Sequence, residues 1–126
     1  MARIRVLIVD DNVTLSQTMK AGLEQTGEYE VCVVNDPKRA RSAALDFRPA
    51  VMILDVIMPE KDGGTVAAEL REDPALCDIP VIFATSIVGK DEVVAMGGRM
   101  GEEPVLAKPV TMADLTACIR KTLRGA

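Results

Sequence analysis

Residues 51–63 read VMILDVIMPEKDG: four apolar residues lead into Asp55, and a loop with Pro59 and Gly63 follows. The four residues show no polar alternation, which is typical of a strand buried on both faces of a parallel sheet. Similar runs, rich in Val and Ile, occur elsewhere, and the five predicted strands are 5–9, 31–34, 51–54, 81–84 and 105–107. The sequence therefore predicts a five-stranded sheet that helices cover on both sides.

Helical patterns fill the gaps between these runs. Apolar residues repeat at three- and four-residue spacing, as on one face of a helix. Four such stripes contain Leu15, Met19, Gly22 and Leu23; Ala40, Ala43, Ala44 and Phe47; Val66, Ala67 and Leu70; and Leu115, Cys118, Ile119 and Thr122. A further, weaker helix, the fourth along the chain, is predicted at 91–96. Strands and helices therefore alternate along the chain, which predicts an α/β fold with a doubly wound parallel sheet, in one domain over residues 1–126.

Two of the helices carry a recognisable start. Asp36 and Pro37 are typical of an N-cap followed by proline at the first helical position. Thr111 and Asp114 resemble a capping box, with Asp in place of the usual Glu. The segment 88–101 is rich in glycine, which costs about 1 kcal/mol relative to alanine inside a helix. We therefore expect the fourth helix to be short.

Composition excludes several classes of function. The net charge of −4 disfavours nucleic-acid binding, which needs a basic surface, and Lys38, Arg39 and Arg41 form too short a basic cluster for it. No apolar run approaches the roughly 20 residues that cross a bilayer, and the amino-terminal residues lack a secretory cleavage site. The odd number of cysteines, three, suggests reduced thiols. We therefore expect a cytoplasmic protein that does not insert into membranes.

The chain contains no histidine. This excludes Ser-His-Asp and Cys-His nucleophiles within the chain, together with histidine-containing zinc sites. It also means that the chain cannot itself be a histidine phosphodonor.

Polar residues follow four of the predicted strands. Asp10 and Asp11 follow the first, Asp55 the third, Thr85 the fourth and Lys108 the fifth. The carboxyl ends of parallel strands meet at one edge of the sheet, where ligands bind in open α/β folds. Crowded carboxylates repel each other, and a hard divalent cation such as Mg²⁺ offsets that repulsion best. We therefore expect a Mg²⁺ site at this edge, with Asp55 as both ligand and nucleophile.

Each of these residues alone also has an ordinary structural explanation. An aspartate after a strand is often a turn former or a helix cap. Thr85 could be a capping or packing residue, and Lys108 a solvated surface charge. The joint pattern favours function, because every member falls at the same edge of the sheet.

Four stretches resemble the receiver family of two-component signalling, which includes single-domain chemotaxis regulators. They are LIVDDN at 7–12, ILDVIMPEKDG at 53–63, PVIFATS at 80–86 and PVLAKP at 104–109. The resemblance spans nearly the whole chain. It implies a flavodoxin-like fold with strand order 2-1-3-4-5.

The resemblance also implies a role for each matching residue. Asp55 is expected to be the phosphoacceptor, with Thr85 as the switch hydroxyl and Lys108 as the cation that contacts the phosphoryl group. Direct Mg²⁺ ligands would be Asp11, Asp55 and the backbone carbonyl of Ile57, while Asp10 would act through water. A cis bond is expected before Pro109, and Met58, Pro59 and Gly63 are expected to shape the loop after the acceptor.

The implied function is that of a phosphorelay switch rather than an enzyme. The phosphoryl donor would be a histidine kinase or a histidine phosphotransfer protein, and the output partner is not specified by the sequence. The only chemistry expected of the chain itself is self-phosphorylation and slow self-dephosphorylation.

The chain departs from the family pattern at three positions near the expected site. The family usually has an aromatic residue three positions before the lysine, where this chain has Val105. The positions two beyond the acceptor and two beyond the switch hydroxyl are Ile57 and Ile87. In the family these side chains flank the path of the hydrolytic water. Two apolar groups cannot orient water, so slow loss of the phosphoryl group is expected.

Three other functions fit parts of the pattern. An aspartate-nucleophile phosphatase or phosphotransferase usually has an acidic residue two positions beyond the nucleophile, where this chain has Ile57. A flavin- or nucleotide-binding module needs a glycine- or hydroxyl-rich loop after the first strand, where this chain has Asp10 and Asp11. The third function is that of a receiver-like module that only binds partners. The complete set of acidic residues argues against this function, whereas the absence of an aromatic residue at Val105 favours it.

Overall fold

The computed structural model describes residues 2–86, 89–100 and 103–124. The strands are β1 (Ile4–Val9), β2 (Tyr29–Val34), β3 (Val51–Asp55), β4 (Val81–Thr85), β5 (Arg99–Met100) and β6 (Glu103–Ala107). The helices are α1 (Val13–Gln25), α2 (Ala40–Phe47), α3 (Gly63–Glu72), α4 (Lys90–Ala95) and α5 (Met112–Arg124). Among the described residues, no helix is long and apolar enough to cross a membrane.

Five strands form the predicted parallel sheet, in the order β2-β1-β3-β4-β6. Since β6 is the fifth strand of the prediction, the predicted order 2-1-3-4-5 is confirmed. The pairings set Val9 beside Leu54 and Thr85 beside Ala107, so the carboxyl ends of these strands lie at one edge. This alignment brings together the residues that follow the strands.

A sixth strand, which the sequence analysis did not predict, follows the short helix α4. β5 pairs antiparallel with β6. The chain reverses between α4 and β5 at Gly97 and Gly98, which both have a φ near +73° to +74°, a region that glycine adopts without steric cost. The Val105 N–H donates to the Gly98 carbonyl at 2.9 Å. The glycine-rich segment thus ends α4 after six residues and then adds to the edge of the sheet.

Alternate residues of each strand pack into two separate cores, because successive side chains of a strand point to opposite faces. Leu7, Leu54 and Phe83 pack on the face that α2 and α3 cover. Ile8, Ile53 and Ile82 pack on the face that α1 and α5 cover. Burial on both faces explains why the strands read as continuous apolar runs.

The helix starts follow the sequence signals with one difference. The Thr111 hydroxyl accepts from the Asp114 N–H at 3.1 Å at the predicted start of α5. A cap that was not predicted begins α1, where the Asn12 side chain accepts from the Leu15 N–H at 3.0 Å. The proline after Asp36 begins a 3₁₀ turn, Pro37–Arg39, and α2 begins only after it. The side chain of Asp36 still accepts from the Lys38 N–H, so the predicted cap is present.

Candidate functional site

Three carboxylates meet at the carboxyl edge of the sheet. Asp10 and Asp11 follow β1, Asp55 ends β3, and one oxygen from each lies within 4.8 Å of the others. Asp10 and Asp55 are only 1% and 6% exposed, whereas Asp11 is exposed to solvent. The cluster thus has two buried members and one member that faces outward.

Lys108 places an ammonium group between the two buried carboxylates. Its Nζ lies 2.8 Å from Asp10 Oδ2 and 3.3 Å from Asp55 Oδ1. The backbone N–H of Lys108 donates to the Thr85 carbonyl at 2.8 Å, which fixes the position of the lysine. The Lys108–Pro109 bond is cis, as predicted. The alternative of a solvated surface charge is therefore wrong for this lysine.

The surroundings of Asp55 disfavour its ionised form. Burial raises its pKa, repulsion from Asp10 adds to the increase, and the attraction of Lys108 opposes both, so that the pKa is about 6. Burial is the largest cause of the increase, and the Lys108 ammonium does not compensate for burial and the repulsion of Asp10 together. A divalent cation held by these oxygens would offset the remaining repulsion, so the donor set fits a hard metal ion such as Mg²⁺.

Thr85 and Ile57 complete the predicted set. Thr85 ends β4 and is fully buried. Ile57 lies in the loop after β3 with its side chain 59% exposed, and the assignment of its carbonyl as a metal ligand stays a prediction. The other apolar residue expected near the water path, Ile87, lies outside the described residues.

The loop after Asp55 returns so closely to its own strand that only glycine fits at position 63. The Gly63 N–H donates to the Val56 carbonyl at 2.9 Å, and a Cβ added at Gly63 would lie 2.3 Å from the backbone oxygen of Asp55. That oxygen belongs to a buried central strand and cannot move freely. The shaping role predicted for Gly63 therefore has a steric basis.

We expect Gly63→Ala to lower the free energy of unfolding by about 1–3 kcal/mol, the usual cost of overpacking. Gly64→Ala is the matched control, because its Cβ would make only an ordinary 3.5 Å contact with the Asp62 side chain and alanine favours the helix. Urea denaturation of both variants measures the difference. Equal stabilities for the two variants would contradict the steric account.

Val105 occupies the position where the family usually has an aromatic residue. Its side chain is 2% exposed and belongs to the core on the α2–α3 face. Valine has no aromatic ring that could swing between an inward and an outward position. Any switching in this chain must therefore use other groups.

The loop after β1 is held by a set of hydrogen bonds that was not predicted from the sequence. The Asn35 side-chain amide donates to the Asp10 carbonyl at 2.8 Å and to the Ser16 hydroxyl at 3.0 Å. Ser16 in turn donates to the Asn12 carbonyl at 2.9 Å and is completely buried. The only sequence signals were a polar residue on the apolar face of α1 and an asparagine after an edge strand.

Comparison with known proteins gives one consistent family. The family model described as "Response regulator receiver domain" matches residues 6–120. Among curated proteins, the chain is 32% identical over 120 residues to the DNA-binding dual master transcriptional regulator RpaA of Synechocystis. It is 35% identical over 121 residues to the response regulator PleD of Caulobacter vibrioides. These alignments cover 95% of this chain but 49% and 26% of the two relatives, so the chain spans about half of their length or less.

Solved structures agree with this result. The receiver domain of a signal transduction histidine kinase from Syntrophus aciditrophicus is 31% identical, with a TM-score of 0.77. That alignment covers 97% of this chain and 91% of the other. The chemotaxis protein CheY4 of Vibrio cholerae is 26% identical with a TM-score of 0.81, over 96% and 99% of the two chains.

Proposed function

Because the chain belongs to the response regulator receiver domain family, we propose that it is a phosphorelay switch that accepts a phosphoryl group on Asp55. The observation that carries this proposal is the arrangement around Asp55. Its carboxylate ends a buried strand, has Lys108 Nζ at 3.3 Å and lies within 4.8 Å of two further carboxylates. An aspartate that served only as a turn former would not need these neighbours.

The proposed reaction is a direct transfer. An oxygen of the ionised Asp55 carboxylate attacks phosphorus, and a new P–O bond forms while the bond from phosphorus to the donor breaks. The electron pair of the broken bond leaves with the donor, an imidazole nitrogen of a histidine kinase or histidine phosphotransfer protein. Lys108, already beside Asp55, would contact the transferred oxygens and stabilise their negative charge.

We propose that Mg²⁺ is held by Asp11, Asp55 and the carbonyl of Ile57, with Asp10 acting through water. When bound, the ion neutralises charge on the carboxylates and on the phosphoryl oxygens. Asp55 then ionises more readily, because a nearby cation favours the charged form and opposes the increase of its pKa.

The proposed conformational change depends on Thr85 and Lys108. A phosphoryl group adds a charge of roughly −1.5 to −2 with strong acceptor oxygens, and it shifts a conformation only through contacts that differ between two states. Thr85 ends β4 and is buried, and we propose that its hydroxyl donates a hydrogen bond to the attached phosphoryl group. A full shift needs about 5.5 kcal/mol at the extreme, of which a charge-assisted hydrogen bond and an ion pair would supply part.

We further propose that the chain works in the cytoplasm and is not an enzyme that turns over a separate substrate. The position two beyond Asp55, where aspartate-nucleophile phosphatases usually carry an acidic residue, holds the exposed side chain of Ile57. The output partner would be a protein or an attached domain rather than nucleic acid bound directly, since the net charge is −4.

The test is intact-mass measurement after incubation with acetyl phosphate, with and without Mg²⁺. We expect a single phosphoryl adduct in the wild type that requires Mg²⁺, and none in Asp55→Asn. Asp78→Asn, which removes an exposed carboxylate outside the cluster, is the control and should keep the adduct. Absence of any adduct in the wild type, with acetyl phosphate and with a histidine kinase donor, would overturn the proposal and favour a module that only binds partners.

A further inference from the structure

We propose that Asn35 is a positioning residue that holds the loop carrying Asp10 and Asp11 in the geometry that binds the metal ion. This inference rests on the proposed function, because it assigns a role at the same site. Asn35 itself lies after β2, at the edge of the sheet, and contributes no atom to the carboxylate cluster.

Both hydrogens of the Asn35 amide are directed at this loop. One bond goes to the backbone carbonyl of Asp10 at 2.8 Å, and the other goes to the Ser16 hydroxyl at 3.0 Å. An asparagine amide can donate two hydrogen bonds, so its donor capacity is used completely. Asn35 thereby connects the end of β2 to both the start of the loop and the first turn of α1.

Ser16 extends the connection to the other end of the loop. Its hydroxyl accepts from Asn35 and lies within hydrogen-bond distance of the Asn12 carbonyl, at 2.9 Å, to which it donates. The Asn12 N–H in turn donates to Asp10 Oδ1 at 2.8 Å. The residues on both sides of Asp11 are therefore fixed by hydrogen bonds that begin at a single side chain.

Asp11 needs this support more than its neighbours do. Asp10 is buried and paired with Lys108 at 2.8 Å, and Asp55 belongs to a central strand. Asp11 is exposed, and among the described residues no ion pair holds its carboxylate. The Asp11 side chain extends from the loop whose backbone Asn35 holds, so the placement of its carboxylate within 4.8 Å of Asp10 and Asp55 depends on that backbone.

Groups that orient metal ligands typically change metal affinity by 10- to 100-fold when they are removed. Asn35→Leu keeps a similar size but removes both donors. We expect it to raise the Mg²⁺ dissociation constant at least about tenfold, measured by isothermal titration calorimetry on the full chain. Phosphorylation by acetyl phosphate should return towards the wild-type rate at saturating Mg²⁺, because the nucleophile and Lys108 are untouched.

Val31→Ala is the matched control. Val31 lies in β2, the strand that precedes Asn35, and is buried in the core on the α1–α5 face, so its truncation lowers stability without touching the loop. If Asn35→Leu binds Mg²⁺ as tightly as the wild type, or if Val31→Ala weakens binding equally, the positioning role is overturned. If the wild type itself binds no Mg²⁺, the proposed metal site is wrong. That outcome is read from the wild type alone, whereas the role of Asn35 is read from the difference between the variants and the wild type.

Discussion

Asp55→Asn is expected to raise the free energy of unfolding at pH 7, in the absence of divalent cations, by about 3 kcal/mol. The cause is the pKa of Asp55, which burial and the repulsion of Asp10 raise from 3.8 to about 6. At pH 7 the native state must hold this carboxylate ionised in surroundings that favour the protonated form. A change of two in pKa corresponds to about 3 kcal/mol, and asparagine does not ionise.

The sign of the pH dependence follows from the raised pKa. Between pH 3.8 and about 6 the folded protein binds more protons at Asp55 than the unfolded chain does. The contribution of Asp55 to stability is therefore fully present below pH 3.8 and is lost as the pH rises through about 6. The advantage of Asp55→Asn should be large at pH 7 and should disappear near pH 4.

Urea denaturation in a metal chelator, at pH 4, 5, 6 and 7, measures this difference. Asp78→Asn serves as the control, because it removes the same charge from an exposed site and should change stability little. Added Mg²⁺ should stabilise the wild type more than Asp55→Asn, since a ligand stabilises the state that binds it. A variant that is less stable than the wild type at pH 7 would contradict the raised pKa.

Ile57→Asn is expected to shorten the half-life of phosphorylated protein about tenfold. Ile57 lies two residues beyond Asp55, and its side chain is 59% exposed. An apolar side chain cannot orient the attacking water, whereas an amide can. A hydrogen bond to a charged or polarised group is worth about 1.5 kcal/mol, which corresponds to about tenfold in rate.

The half-life is measured by following the phosphoryl adduct after the acetyl phosphate has been removed. Leu45→Asn places the same side chain on the exposed surface of α2, away from the cluster, and should leave the half-life unchanged. Adding Ile87→Glu to Ile57→Asn should shorten it further. A wild-type half-life no longer than that of the double variant would show that the apolar pair does not protect the phosphoryl group.

The fold was predictable because its signals are local. Apolar runs such as 51–54 must be buried on both faces, and stripes such as Leu15, Met19 and Leu23 must face a sheet. Parallel strands then bring their carboxyl ends together, which is sufficient to predict that Asp10, Asp55 and Lys108 lie at one edge. The extra strand β5 was not predictable, because a two-residue strand has no periodicity and depends on pairing with β6.

By itself, the sequence determined the alternation of strands and helices, the edge that carries the site and the chemical types of the groups that meet there, and the resemblance to the receiver family supplied the order of the strands. Only the tertiary structure decided how those groups act on one another. Lys108 contacts Asp10 across 98 residues, and Asn35 reaches the Asp10 carbonyl across 25. The contacts depend on the register of neighbouring strands and on burial, which also raises the pKa of Asp55. Periodicity along the chain reports which face a residue occupies, but it does not report which distant atom lies within hydrogen-bond distance of it.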